Sequence, residues 1–165
     1  MKKLFSYWVK FINFLRSSYI EQKVDTGLMP IWFKIAEAEI GVKEIRGGEH
    51  PRIIEYHMST SLKSKEDEIP WCSSFVCWCL EQNGIKSTRS AWARSYLKWG
   101  IKLDKPKPGC IVVFQRGNAG HVAFFVSDDE TGTLVLGGNQ SDSVCFSEYN
   151  KKDVLGYRWP DLSPV

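Results

Sequence analysis

Up to about residue 100 the apolar positions recur at helical spacing; beyond Pro106 they collapse into short β-rich runs. Leu4, Trp8, Phe11, Leu15 and Tyr19 share one helical face, flanked by Ile12 and Phe14. Lys2, Ser6, Lys10, Asn13 and Ser17 take the other, which predicts an amphipathic helix over residues 2–20. Asp25-Thr26-Gly27 breaks it. Pro30 to Ile40 reads as a helix, with Pro in the first turn and Gly41 to end it. Pro51 opens a short helix carrying Ile53, Ile54 and Tyr56, and residues 59–69 form a polar loop. A helix from Cys72 to Asn83 follows, then one from Ser90, as N-cap, through Trp99 to Gly100.

Pro106-Lys107-Pro108-Gly109 is turn chemistry. After it, Cys110–Phe114, His121–Ser127, Thr133–Gly138, Val144–Tyr149 and Leu155–Trp159 read as strands separated by loops rich in Gly, Asp and Asn. Helices first and a strand meander second make the class α+β, with helices packed on an antiparallel sheet of five to six strands. Two parts are expected: a basic amphipathic extension over 1–23 and one globular domain over 28–165.

Charge sharpens that division. The chain carries +3 overall, but residues 1–23 hold +4 and the remainder −1. The body has no basic stripe with interleaved aromatics, which argues against nucleic acid as its partner. The extension suits either an anionic membrane surface or an apolar face of the domain. Lys10, Asn13 and Arg16 interrupt it too often for a spanning helix. With neither a clean apolar core nor a small-residue cleavage site, it does not read as a signal peptide. Synthesis in the cytoplasm without a cleavable leader is the expectation.

The five cysteines, an odd number, do not read as a disulfide framework. His50, His57 and His121 are scattered and there is no CxxC pair, so no metal or other cofactor is expected. One cysteine stands apart. Cys72 follows Pro70-Trp71 and opens a helix, where unpaired N–H groups and the helix dipole favour a thiolate. That predicts a nucleophile reactive well below the usual thiol range. Pairing Ser127 with Thr133 across the 128–132 connection sets His121 opposite Asn139, with Cβ atoms about 5 Å apart. A one-residue slip would move one of them to the other face. Cys72 as nucleophile, His121 as base and Asn139 as orienting group form a hydrolase triad. Gln140 is either a second candidate orienter, a substrate contact or a sheet-edge amide. Glu44 and Asp67 either line the cleft, to meet a substrate amine or hold Trp71, or are solvated surface charges, and Trp71 is either a cleft wall near Cys72 or a core residue. His57 is an alternative base or a packed helix-end side chain.

Pro70-Trp71-Cys72-Ser73-Ser74-Phe75, Gly120-His121-Val122 and Gly137-Gly138-Asn139-Gln140 resemble the NlpC/P60 and CHAP superfamily of peptidoglycan hydrolases. Gly41-Val42-Lys43-Glu44 and Gly156-Tyr157-Arg158-Trp159-Pro160 resemble a single-domain phage and bacterial branch, and the likeness runs over residues 30–160. It implies a papain-like fold, Cys72, His121 and Asn139 in the catalytic roles, no metal, and cleavage of a peptidoglycan amide bond by an endolysin-like monomer in the periplasm or cell wall. The family's Asp after Pro-x-x-Gly is Cys110 here, where a local effect on stability is expected. The alternative is a non-catalytic wall-binding or membrane-associated module that keeps the fold.

Overall fold

The computed structural model describes residues 29–130 and 132–163. The extension expected over 1–23, and with it the amphipathic helix expected at 2–20, lies outside the described residues. Helix α1 spans Ile31–Ala38 and buries Trp32, Phe33 and Ala36. It starts at an extended Pro30, whose fixed φ suits the position before a first turn. Helix α2, Pro51–Met58, begins where the His50 ring accepts the Arg52 N–H. Helix α3, Cys72–Gln82, is buried at every residue from Cys72 to Leu80. A helix apolar on all sides belongs at the centre, and α3 packs against α1, α2 and the sheet. The segment read as a helix from Ser90 is a shorter 3-10 helix, Ala93–Lys98. Ser90 serves it locally, its hydroxyl accepting the Trp92 N–H at 3.2 Å.

Six antiparallel strands follow: β1 Ile101–Leu103, β2 Ile111–Phe114, β3 His121–Asp128, β4 Gly132–Gln140, β5 Ser143–Asn150 and β6 Val154–Trp159. Their order is β1-β6-β2-β3-β4-β5. The expected meander holds from β2 to β5, but β6 returns to lie between β2 and β1. A 3-10 turn at Lys151–Asp153 makes that return possible. Strand β1 went unread because Ile101-Lys102-Leu103 is too short to show a period.

The central strands are buried on both faces. Ile111, Val113, Val122, Phe124 and Val126 join the helices in the main core. Val112, Phe114, Ala123, Phe125 and Val135 form a second apolar cluster. This two-sided burial explains why β2 and β3 read as near-continuous apolar runs. Cys110 is fully buried in the second cluster, where burial pushes its thiol up to about 12. An ionised Asp there would lack water, so cysteine is the better fit for this packing.

Candidate active site

Three elements converge at one end of the sheet. Helix α3 brings Cys72, β3 begins with His121, and β4 ends with Gln140. Cys72 is only 4% exposed. The N–H groups of Val122, Ser73 and Cys72 itself pull its thiol toward ionisation, as does the charge of Arg116. Burial outweighs them and holds the thiol above its ordinary range. The helix start therefore does not deliver the low-pKa thiolate expected of it.

His121 is fully buried. Its Nε2 and the Gln140 Oε1 are 3.0 Å apart. The other end of that amide donates to the Cys145 carbonyl at 2.5 Å, which fixes which end is oxygen. Facing an acceptor, Nε2 must carry the proton. Nδ1 is then a lone pair, buried and without a partner. Burial chiefly, and then the charge of Arg116, lower the His121 pKa to about 3, against the hydrogen bond the ring donates to Gln140. The ring is thus neutral at rest. Tyr149 stacks on it at 5.0 Å between centroids, and Phe114 stacks on Tyr149 at 4.7 Å.

Asn139 does not hold this ring. The expected register is present at Phe124–Leu136 and Phe125–Val135, which would carry Asn139 to the face of His121. Ser127, however, pairs with Leu134 across an irregularity at the outer end of the hairpin. A second irregularity between Gly137 and Gln140 inserts an extra residue in β4. Asn139 sits there with φ 55° and is partly exposed. One inserted residue reverses the alternation, so Gln140 takes the face assigned to Asn139. Strict alternation of faces hid this. The sequence signal for the bulge was Gly137-Gly138-Asn139, a run tolerant of left-handed backbone.

The remaining candidates divide. Trp71 is fully buried, with its indole N–H donating to Glu44 Oε1 at 2.8 Å. Its ring packs on Tyr56 and Phe75 in the main core, so it is a core residue and not a cleft wall. Burial first, and then Asp142, Asp67 and Glu68, hold the Glu44 carboxyl above its usual range, against the Trp71 bond. Glu44 lines an open cavity of about 410 Å³ with Lys43, Ile45, Arg46, Glu68 and Asp142. Asp67 is not a cleft residue. It is fully buried, and its Oδ2 accepts the N–H groups of Ile45 and His50 at 3.1 and 2.9 Å, tying two loops together. His57 is also fully buried and faces Ser74 Oγ at 3.1 Å, bracing α2 on α3. Tyr149 and Arg116 were not foreseen: Arg116 lies in the turn just before Gly120-His121 and Tyr149 near the end of β5, and neither residue type stands out in the chain.

All five cysteines are free thiols. Among the described residues, no group of three or more His, Cys, Asp or Glu side chains is arranged to hold a metal ion. Nor is any helix among them long and apolar enough to cross a membrane.

A cysteine at the start of a central helix and a histidine on the adjoining antiparallel sheet define a papain-like α+β domain. Residues 64–150, more than half of the chain, match the CHAP domain, and the protein belongs to that family. CHAP domains are typically cysteine-dependent amidases and peptidases, and the family points to peptidoglycan as substrate. No curated protein matches the chain.

Proposed function

We propose that the protein hydrolyses an amide bond in the stem peptide or crosslink of peptidoglycan, with Cys72 as nucleophile, His121 as base and Gln140 as the orienting residue. The observation that carries this reading is the ring of His121: Nε2 is committed to Gln140, while Nδ1 is buried and unpartnered at the end of the sheet where Cys72 enters. The other fully buried histidine, His57, also leaves one ring nitrogen without a partner, so what sets His121 apart is its company: the N–H of Val122, the next residue, acts on the Cys72 thiol.

The chemistry follows from a neutral resting pair. As the Cys72 sulfur attacks the carbonyl carbon, its proton passes to His121 Nδ1. Gln140 keeps the ring in the one tautomer that can accept it. The carbonyl oxygen, now an oxyanion, meets the Cys72 N–H at the open start of α3. Collapse expels the amine, which takes the proton from His121, and leaves a thioester on Cys72. Water, deprotonated by His121, then releases the acid and restores the thiol. The lytic role and the place of action, the periplasm or cell wall, belong to the same proposal, as does a monomeric enzyme whose residues 2–20 rest on an anionic membrane.

Burial of Cys72 favours a second reading, an inert wall-binding module. The Gln140 amide weighs against it, because it holds His121 in a single tautomer whose free lone pair lies at the end of the sheet where Cys72 enters. Digestion of purified peptidoglycan, with fragments identified by mass spectrometry, separates the two. Free stem peptides identify an amidase and cut stems or bridges an endopeptidase; no fragments from the folded protein would overturn the hydrolase.

A further inference from the structure

One rim of the site is the β2–β3 turn, residues 115–120, and it is braced. The Gln115 N–H donates to Asp153 O at 2.7 Å, the Gln115 amide to Gly117 O at 2.8 Å, and the Gly120 N–H to Arg116 O at 2.9 Å. Arg94 supports the turn from the 3-10 helix by donating to Gln115 Oε1, and its Nε is buried without a partner. Arg116 is exposed on this rim, its carbonyl accepts the N–H of Gly120, the residue before His121, and its charge acts on Cys72, His121 and Tyr149. Tyr149 in turn stacks on His121. The guanidinium thus stands on the rim within electrostatic reach of both the thiol and the base.

It has no anion of its own. The ion pairs among the described residues use Arg52, Arg89 and Lys151, not Arg116. A guanidinium offers five N–H donors in a planar fork that matches a carboxylate, more than a neighbouring phenol oxygen can occupy. The cavity around Glu44, Glu68 and Asp142 has three carboxylates beside Lys43 and Arg46 and is the poorer place for a substrate anion.

We propose that Arg116 binds a free carboxylate of the substrate peptide beside the scissile amide, and so makes the enzyme prefer an acidic stem peptide over its amidated counterpart. The assignment rests on the peptidoglycan reading above. The second residue of a stem peptide continues the chain through its γ-carbonyl, so its α-carboxyl is available as an anion or as a carboxamide. A charge-assisted pair to that group discriminates between the two forms by about ten-fold.

The test uses the full chain with Cys72→Ala, so that binding is read without cleavage. Two synthetic peptides, L-Ala-γ-D-Glu-L-Lys and its D-isoglutamine form, are titrated by calorimetry at fixed salt. The acidic peptide should bind about ten-fold tighter, and Arg116→Gln should reduce that ratio to about one, while Arg116→Lys keeps part of it. Equal binding of the two peptides, no binding of either, or a ratio that survives Arg116→Gln overturns the assignment. If an Arg116-dependent ratio appears and the wild type still cleaves no peptidoglycan, the carboxylate site stands and the hydrolase reading fails.

Discussion

The Gln140 amide has two ends and both are committed, its oxygen to His121 and its nitrogen to the Cys145 carbonyl. Removing it frees the ring to rotate and to exchange tautomers. Gln140→Ala should therefore lower kcat by about ten- to a hundred-fold with little change in KM, as expected for a group that orients the base. Asn139→Ala should stay within about three-fold of wild type in kcat, because Asn139 occupies the bulge and does not hold the ring. Steady-state kinetics on a soluble muropeptide read both, and the reverse order of losses would return the orienting role to Asn139. The placement of Cys72 at a helix start and of His121 at the start of a strand facing the 137–140 segment was legible in the chain, because their residue types are few and their neighbours distinctive. The choice between adjacent amides was not, since it depends on a single inserted residue.

At the scale of elements, the site is assembled by close approach between β4 and α3. Gly138 has no room for a side chain: a Cβ there would lie 2.4 Å from Trp71 Cζ3 and 2.8 Å from Phe75 Cβ. Gly138→Ala must push Trp71 or the strand aside, at a cost of about 1–3 kcal/mol. Its chemical denaturation midpoint should fall and its activity with it, because Trp71 directly precedes Cys72, the proposed nucleophile; wild-type stability would show that β4 and α3 are not packed this tightly. Helices α1, α2 and α3 and the run from β2 to β5 were readable from periodicity and turn residues. Strand β1 and the placement of β6 were not, because pairing partners far apart in the chain leave no local pattern. Asp67 escaped for a related reason: a carboxylate that caps loop N–H groups looks, in sequence, like any charge in a polar loop.

For the whole molecule, two neutral buried histidines set the response to acid. Burial first of all depresses the pKa of His121, to about 3, and that of His57 below its ordinary value. In the unfolded chain both titrate near about 6.5. Above that pH neither form binds the extra protons and stability is whole; as pH falls below it, the unfolded chain takes up protons that the native state refuses. Stability should then drop, by about 1.4 kcal/mol per pH unit for each histidine while its native form stays neutral. Calorimetric Tm between pH 8 and pH 5 should decline, and His57→Gln should make the decline shallower; an unchanged slope would mean that His57 is not held neutral in the folded protein. The same neutral His121 is what the catalytic proposal requires of its base. Its central claim is that one thiol of five carries the reaction. The direct measurement is release of fragments from peptidoglycan by the wild type and by Cys72→Ala side by side, with folding checked by circular dichroism. The account predicts no release from a folded Cys72→Ala beside steady release from the wild type. Release by Cys72→Ala at the wild-type rate would contradict it.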